Sequence, residues 1–247
     1  MLHLEVCVDT VEGAIAAEQG GATRLELCSN LIIGGTTPSI SLLKIVKENV
    51  KIPVHAIIRP RFGDFCYSDL EFEEIKDQVV AMKEAGADGV VIGIVKPEGL
   101  LDKVRMAELI ELAKPMHVAL HRAFDVCKDP FETLETAIDL GIQTILTSGQ
   151  KQTALGGADL LGALIEKAND KIDIMPGGGI NSDTILEIME KTGAKSYHMS
   201  GRAEIESPMI YRNPNVSMGL DILSEYSLFK TDSHEINKVK SIIEKNK

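Results

Sequence analysis

Short apolar runs rich in β-branched residues alternate along the chain with longer segments of helical period, and the alternation repeats eight times. The pattern predicts strands at residues 4–9, 24–29, 53–59, 89–94, 116–122, 143–148, 172–177 and 196–201. Helices are expected in the gaps. Eight βα units without a linker favour an α/β fold, a (β/α)8 TIM barrel built by residues 1–247 as a single domain. An open doubly wound sheet is the alternative, but it would usually carry a GxGxxG turn after its first strand, which this sequence lacks.

Residues that commonly begin helices support this division of the chain. Ser39 precedes the helix after the second strand, Asp129 opens the one after the fifth, and Asn181 is predicted to cap the one after the seventh. The last part of the chain is expected to differ from the repeat. Residues 203–231, which include "AEIESPMIYRNPNVSMG", are predicted to be irregular and to precede a C-terminal helix near 232–246.

Alternate residues of a barrel strand face the outer helices or the barrel interior. One face of each predicted strand is apolar, and we assign it to the helices. The opposite, inward face carries polar residues on five of the eight strands: Glu5, Cys7, Glu26, Cys28, His55, Arg59, His117, His121 and His198. Because isolated buried charges cost several kcal/mol each, these groups are expected to pair with one another, hold water or contact a ligand. A self-contained ion cluster in the lower layer stays open, and His55 and His117 are interpreted as hydrogen-bonded core residues.

The carboxyl ends of the strands are the usual place for a barrel active site. His121 lies at such an end and Asp125 follows it, so both are candidate catalytic residues. Glu5 or Glu26 would supply a second proton-transfer group.

Several loops at the same end suit an anion. "IIRPRFGD" offers Arg59 and Arg61, and "LTSGQ" offers Ser148. The loops after the seventh and eighth strands, "MPGGGIN" and "MSGRAE", are expected to bind phosphate through the following residues: Gly177, Gly178, Gly179, Gly201 and Arg202. The alternatives are that Arg61 pairs with Asp64 to stiffen its loop and that the glycines only permit a tight turn.

The net charge of −11 argues against nucleic acid or an anionic membrane as a partner. The chain start resembles no signal peptide and no apolar run is long enough to span a membrane, so a cytoplasmic location is expected. The four cysteines have no zinc-type spacing and are expected to be free thiols. Cys7 and Cys28 share inward parity on adjacent strands. Such a pair suits a soft ion such as Cu(I), although a buried cysteine is usually a small apolar residue.

Eight motifs in order, "LEVCVD", "RLELCS", "GGTTPS", "IIRPRFGDFCYSD", "HRAFD", "LTSGQ", "MPGGGI" and "YRNPNVSMG", resemble those of the CutC copper homeostasis family. The resemblance covers essentially the whole chain. It implies a cytosolic (β/α)8 barrel, often a homodimer, that handles copper, with Cys7 and Cys28 as Cu(I) ligands. The sequence itself indicates no nucleotide cofactor. Phe62 departs from the family pattern, which usually has glycine there, so we expect it to narrow the rim or stack on a ligand.

Three functions remain open on these grounds. The chain binds Cu(I) between two inward thiolates, or it is an enzyme for a small anionic, phosphorylated substrate, or it is a dimeric scaffold. The expected partners are therefore a copper ion, a small anionic ligand or a second copy of the chain.

Overall fold

The computed structural model describes residues 3–216 and 224–246. Eight parallel strands form a sheet in the order β7-β6-β5-β4-β3-β2-β1-β8, and a bridge between Gly177 and His198 joins its two edges. The predicted barrel is confirmed. Its strands are β1 (His3–Val8), β2 (Arg24–Leu27), β3 (Val54–Ile57), β4 (Gly89–Ile92), β5 (His117–Leu120), β6 (Thr144–Thr147), β7 (Asp173–Pro176) and β8 (Ser196–Met199).

Helices surround the barrel in the alternation that the sequence predicts. They are α1 (Val11–Gly20), α2 (Ile40–Asn49), α3 (Asp69–Glu84), α4 (Lys103–Ala113), α5 (Pro130–Asp139), α6 (Ala158–Ala168), α7 (Ile185–Thr192) and α8 (Ser233–Lys245), with 3-10 helices at Leu31–Ile33 and Arg122–Val126. Ser39 and Asp129 cap α2 and α5 as predicted. The cap predicted at Asn181 is wrong. The side chain of Asn181 instead accepts from the amides of Asp183 and Thr184, which forms a turn before α7 begins.

The strand faces follow the predicted parity. Leu4, Val6, Leu25 and Leu27 belong to the large apolar core between sheet and helices. Inside the barrel, one side holds a small apolar cluster of Cys28, Ile57, Val91 and Ala119. Other interior positions hold buried polar residues: Glu5, Arg24, Glu26, His55 and His198. The polar residues of this set belong to the strands from β8 to β3, and β3 and the residue that follows β2 contribute to the apolar cluster as well.

The segment after the barrel is more regular than the sequence suggests. Strands β9 (Arg202–Glu206) and β10 (Ser227–Thr231) pair as an antiparallel ribbon within the stretch predicted to be irregular. Their separation along the chain gives no hairpin signal, which is why sequence periodicity missed the pairing. Residues 217–223, which belong to the predicted irregular stretch, lie outside the described residues. No helix in the described parts of the chain has the length and apolar content needed to cross a membrane.

Candidate functional site

A cavity of about 430 Å³ opens at the carboxyl end of the barrel. A volume of this size suits a small molecule, because ligand pockets typically span roughly 300–1,000 Å³. The predicted site residues that line it are Cys7, Glu26, Arg59, His121, Gly178, Gly179, Gly201 and Arg202. The predicted residues outside its lining are Glu5, Cys28, Arg61, Asp125, Ser148 and Gly177. The structure thus gathers residues of six different strands and loops into one place.

Beneath the cavity lies a buried ion cluster centred on Glu5. The register pairs Glu5 with Arg24 on one side and with His198 on the other. Its carboxylate accepts from Arg24 Nε at 2.5 Å and from His198 Nδ1 at 2.7 Å. Burial alone would raise the pKa of Glu5, but the Arg24 guanidinium and the His198 hydrogen bond bring it well below the ordinary value. Glu5 therefore stays ionised and balances two buried cations, which matches the ion-cluster alternative for this layer.

Above Glu5, three potential ligand atoms converge on the cavity floor. The register places Cys7 beside Glu26, and the ligand atoms of Cys7, Glu26 and His198 all lie within 4.8 Å of one another. All three residues are buried. Burial raises the pKa of Glu26 to about 7, and its Oε1 has no hydrogen-bond partner among the described residues. A buried carboxyl oxygen without a donor is costly, so this corner is incomplete without a further group.

Cys28 is not part of this group. Its Sγ donates to the carbonyl of Val8 at 3.4 Å, and its side chain packs into the interior apolar cluster. Burial, with Cys7 and Glu26 nearby, raises the pKa of the Cys28 thiol far above its ordinary value. A thiol in these surroundings behaves as a small apolar residue. Parity alone made the two cysteines look equivalent, and their surroundings separate them.

Arg59 is a buried cation that lines the wall of the cavity. Its Nη1 donates to the carbonyls of Ile33 and Gly35, at 3.2 and 3.0 Å, and its Nη2 donates to the carbonyl of Gly63 at 2.8 Å. Its Nε has no partner, and among the described residues no carboxylate forms an ion pair with it. The guanidinium also lies over the ring of Phe65, with 5.1 Å to the centroid. The Arg59 side chain is therefore held by three backbone carbonyls, but its positive charge has no carboxylate partner among the described residues.

His121 flanks the same aromatic ring, with 4.7 Å between its centroid and that of Phe65. The Nδ1 of His121 accepts from the amide of Ala123 at 3.1 Å, so the ring proton of the neutral form is on Nε2. Burial and the nearby Arg59 lower the pKa of His121 to about 3. Its Nε2 has no partner among the described residues. At neutral pH His121 can thus donate a hydrogen bond from Nε2 to a ligand. The predicted acid or base role would in addition require transfer of a proton, and it stays a prediction.

Gly93 makes room for the His121 ring, and this gives a direct prediction. A Cβ at Gly93 would lie 2.6 Å from His121 Cε1 and 2.8 Å from the Cβ of Ala123. We expect Gly93→Ala to lower the free energy of unfolding by about 1–3 kcal/mol, as overpacking usually does. Urea unfolding monitored by circular dichroism measures the change. Gly156→Ala is the control, since its nearest neighbour would be Thr153 Oγ1 at 3.3 Å; equal losses in both variants would contradict the role of Gly93.

Asp125 and Ser148 form a hydrogen-bonded frame rather than a lining. Asp125 accepts from Thr147 Oγ1 at 2.5 Å, from the amides of Ser148 and Gln150 at 3.1 Å, and from Arg122 Nε at 2.7 Å. The carboxylate therefore fixes the loop after β6 and orients Arg122, which lines the cavity. Both carboxylate oxygens of Asp125 accept hydrogen bonds within this network, and its catalytic role stays a prediction.

Arg61, in the loop after β3, does not line the cavity. Arg61 Nη2 donates to Asp64 Oδ1 at 3.1 Å and to the carbonyl of Cys66 at 2.9 Å, and its Nε pairs with Glu71. This is the loop-stiffening alternative. Phe62 is 68% exposed and does not line the cavity, so it neither narrows the rim nor reaches a ligand there.

The glycine loop after β7 faces the cavity opposite Arg59. Gly178 and Gly179 have φ values of 97° and 80°, a backbone conformation that glycine adopts without strain. Their amides donate to no acceptor in the described parts of the chain, whereas the amide of Gly177 donates to the carbonyl of Thr147. Arg202 lines the same wall, stacked on Phe229 with 4.6 Å to the ring centroid. Two free amides and a cation form a suitable surface for an anion.

Some lining residues carried no recognisable sequence signal. Phe65 lies in the loop after β3, where no strand or helix periodicity predicts which way a side chain points. Glu235 reaches the rim from α8 and accepts from the amide and hydroxyl of Ser182, at 2.6 and 3.1 Å. Only the packing of α8 against the barrel brings it there.

Comparison with known proteins agrees with this architecture. The chain is 46% identical over 240 residues to the mouse copper homeostasis protein cutC homolog, covering 97% of this chain and 88% of that protein. It is 44% identical over 241 residues to the family protein CutC of Parabacteroides distasonis, covering 97% and 98%. Among solved structures, CutC from Streptococcus agalactiae superposes with a TM-score of 0.76 and 30% identity, covering 81% of this chain and 99% of that one.

More distant structures share the fold alone. The thiamine phosphate pyrophosphorylase of Pyrococcus furiosus has a TM-score of 0.59 at 17% identity, covering 99% of this chain and 96% of that one. At so low an identity the likeness supports the barrel and nothing about chemistry. The sequence profile of the CutC family, by contrast, matches residues 2–203. Together with relatives of 40–46% identity over nearly the full length, this match means that the chain belongs to the CutC family.

Proposed function

We propose that this protein serves copper homeostasis by binding a copper ion as cargo on the cavity floor, with Cys7 and His198 as its main ligands and Glu26 beside them. The observation that carries the proposal is the convergence of these three buried ligand atoms within 4.8 Å. Two ligands of one ion lie at most about 4.4 Å apart at ordinary metal–sulfur and metal–nitrogen distances. Only a slight inward movement is therefore needed for the residues to share an ion.

The donor types suit copper. A thiolate and an imidazole are both good ligands for copper, and the thiolate favours Cu(I) in particular. The Glu26 carboxylate is a harder ligand, which adds negative charge beside the ion more than it adds selectivity. This set differs from the Cys7 and Cys28 pair expected from the sequence, because Cys28 packs into the interior apolar cluster and does not line the cavity.

His198 is also oriented as a metal ligand would be. Metal-binding histidines usually donate their second ring N–H to a carboxylate. Here Nδ1 of His198 lies 2.7 Å from Glu5 Oε1, while Nε2 lies 3.8 Å from Glu26 Oε2. Glu5 is fixed in turn by Arg24, so the ring is held with Nε2 toward Cys7 and Glu26. The pKa of His198 lies well above its ordinary value: burial would lower it, but the nearby Cys7, Glu26 and Glu5 outweigh burial. Copper binding would then displace a proton from Nε2.

An anaerobic Cu(I) titration against a competing chelator tests the proposal. We expect one ion per chain, bound with sub-nanomolar affinity. Cys7→Ser should weaken binding by more than about 100-fold and His198→Gln by at least 10-fold, since even outer-shell substitutions typically cost 10- to 100-fold. Cys28→Ser is the matched control and should bind as the wild type does. Weak binding by the wild type would refute the copper proposal, and equal loss in Cys7→Ser and Cys28→Ser would replace this ligand set by the thiol pair.

The cytoplasmic location and the homodimer implied by the resemblance stay predictions. The segment after β9 is consistent with a subunit contact, because Met209, Ile210 and Tyr211 are exposed and Ile210 is 99% accessible. An apolar cluster of this kind at the surface commonly marks an interaction site. A scaffold role alone would leave the polar cavity unexplained, so we place the function in the cavity and assign the segment to assembly.

A further inference from the structure

We infer that the cavity also binds a small phosphorylated metabolite, with its phosphate at the glycine loop after β7 and an oxyanion or carbonyl oxygen between Arg59 and His121. The copper proposal uses the cavity floor, Cys7, Glu26 and His198. The two side walls hold polar groups that copper binding does not explain. These walls, rather than the floor, carry the inference.

The first wall has an unbalanced buried charge. Arg59 is 7% exposed, and its three carbonyl partners supply partial charges but no full negative charge. Its Nε is left without a partner among the described residues although it is buried. A guanidinium in such a place is costly unless an anion joins it. The three carbonyls hold the Arg59 guanidinium in position, so it is a preorganised donor for an oxyanion that enters the cavity.

The second donor on this wall is the Nε2 of His121. His121 is 3% exposed, and the amide of Ala123 occupies its Nδ1, so the remaining ring N–H has no partner in the described structure. Arg59 and His121 lie on the same aromatic ring, that of Phe65, and both line the cavity. Two buried donors without acceptors, one charged and one neutral, together define a site for one negatively charged or strongly polarised oxygen.

The opposite wall suits the phosphate. Gly178 and Gly179, whose amides donate to no acceptor in the described structure, line the cavity there together with Arg202. Backbone amides in a glycine turn bind phosphate oxygens closely because no side chain blocks the approach. The volume of about 430 Å³ between the walls has room for a small phosphorylated molecule with a short carbon chain.

Isothermal titration calorimetry with three related probes tests both walls. The probes are 3-phosphoglycerate, which carries both groups, glycerol 3-phosphate, which lacks the carboxylate, and glycerate, which lacks the phosphate. We expect 3-phosphoglycerate to bind most tightly and each single-group probe to bind about 10-fold more weakly, as loss of a charge-assisted hydrogen-bonded group usually costs. No binding of any probe to the wild type at matched ionic strength would overturn the inference. Equal affinity for glycerate and 3-phosphoglycerate would overturn the part of the inference that places a phosphate at the glycine loop after β7.

Variants locate the binding. Arg59→Met should weaken 3-phosphoglycerate binding by about 10-fold or more, whereas Arg61→Met, on the same loop but outside the cavity, should leave it unchanged. His121→Asn keeps an acceptor for the Ala123 amide and removes the Nε2 donor, so it gives an independent test where Arg59→Met fails to fold. Unchanged affinity in His121→Asn would overturn the site. Cys7→Ser should keep the affinity for 3-phosphoglycerate, which separates failure of this inference from failure of the copper proposal.

Discussion

Glu5→Gln is expected to lower the free energy of unfolding by about 3–5 kcal/mol, the usual cost of removing one partner from a buried ion pair. Glu5 is 1% exposed and is the shared acceptor for Arg24 and His198. The glutamine keeps the size of the side chain but leaves two cations buried without a full counter-charge. Urea unfolding of the wild type and the variant at pH 7 measures the difference.

A comparison with an exposed ion pair makes this test specific. Lys191 and Glu187 lie 2.7 Å apart on one turn of α7, with both side chains about half exposed. Glu187→Gln should therefore cost no more than about 0.5 kcal/mol. The double variant Glu5→Gln with Arg24→Met should regain part of the loss, because it removes one unbalanced charge. A loss below about 1 kcal/mol in Glu5→Gln would contradict the view that this carboxylate holds the cluster together.

The sequence predicted the barrel, and strand parity predicted which residues point inward. The reason is physical: each strand is buried on its outer face by helices, so a period of two separates apolar from polar positions. Glu5, Glu26 and His198 all face the interior as their parity predicts. The register that pairs Glu5 with Arg24 and Cys7 with Glu26 follows from closing the barrel, and it could not be read from any single strand.

Parity could not decide the height or rotamer of an interior side chain. Cys7 and Cys28 have the same parity, yet Cys7 lines the cavity while Cys28 bonds to Val8 and packs against apolar neighbours. Charged loop residues were equally ambiguous. Arg59 and Arg61 are two positions apart. Arg59 bonds to backbone carbonyls and lines the cavity, whereas Arg61 pairs with Asp64 outside it. These choices depend on partners distant in the chain, and a sequence pattern does not contain them.

A steep acid transition is the second large effect that we expect. Burial lowers the pKa of His55 to about 3, of His117 to about 4 and of His121 to about 3. These histidines stay neutral in the folded protein, whereas the unfolded chain binds a proton at each below pH 6.5. The unfolded state therefore holds more protons in acid, and the free energy of unfolding falls as pH falls from 6.5 toward 3–4.

Two other groups act in the opposite direction. Burial raises the pKa of Glu26 to about 7, so between pH 4.5 and 7 the folded state holds a proton that the unfolded state has lost. Its contribution to stability decreases as pH rises through that window. The raised pKa of His198 acts in the same sense only above pH 6.5, because below that value both states are protonated. The best stability is therefore expected near pH 6.5–7.

Between pH 4.5 and 6.5 these three histidines outweigh Glu26 by two protons, and this difference contributes a slope of up to about 2.7 kcal/mol per pH unit. Over the two pH units the loss is at most about 5 kcal/mol, a large part of the total stability of an ordinary domain, about 5–15 kcal/mol, so a marked loss of stability in acid is expected. Urea unfolding at several pH values gives the slope. His55→Gln should lower this slope by about 1.4 kcal/mol per pH unit, the amount that one proton contributes. Stability that stays flat from pH 6.5 to 4.5 would mean that the buried histidines accept protons without unfolding the barrel.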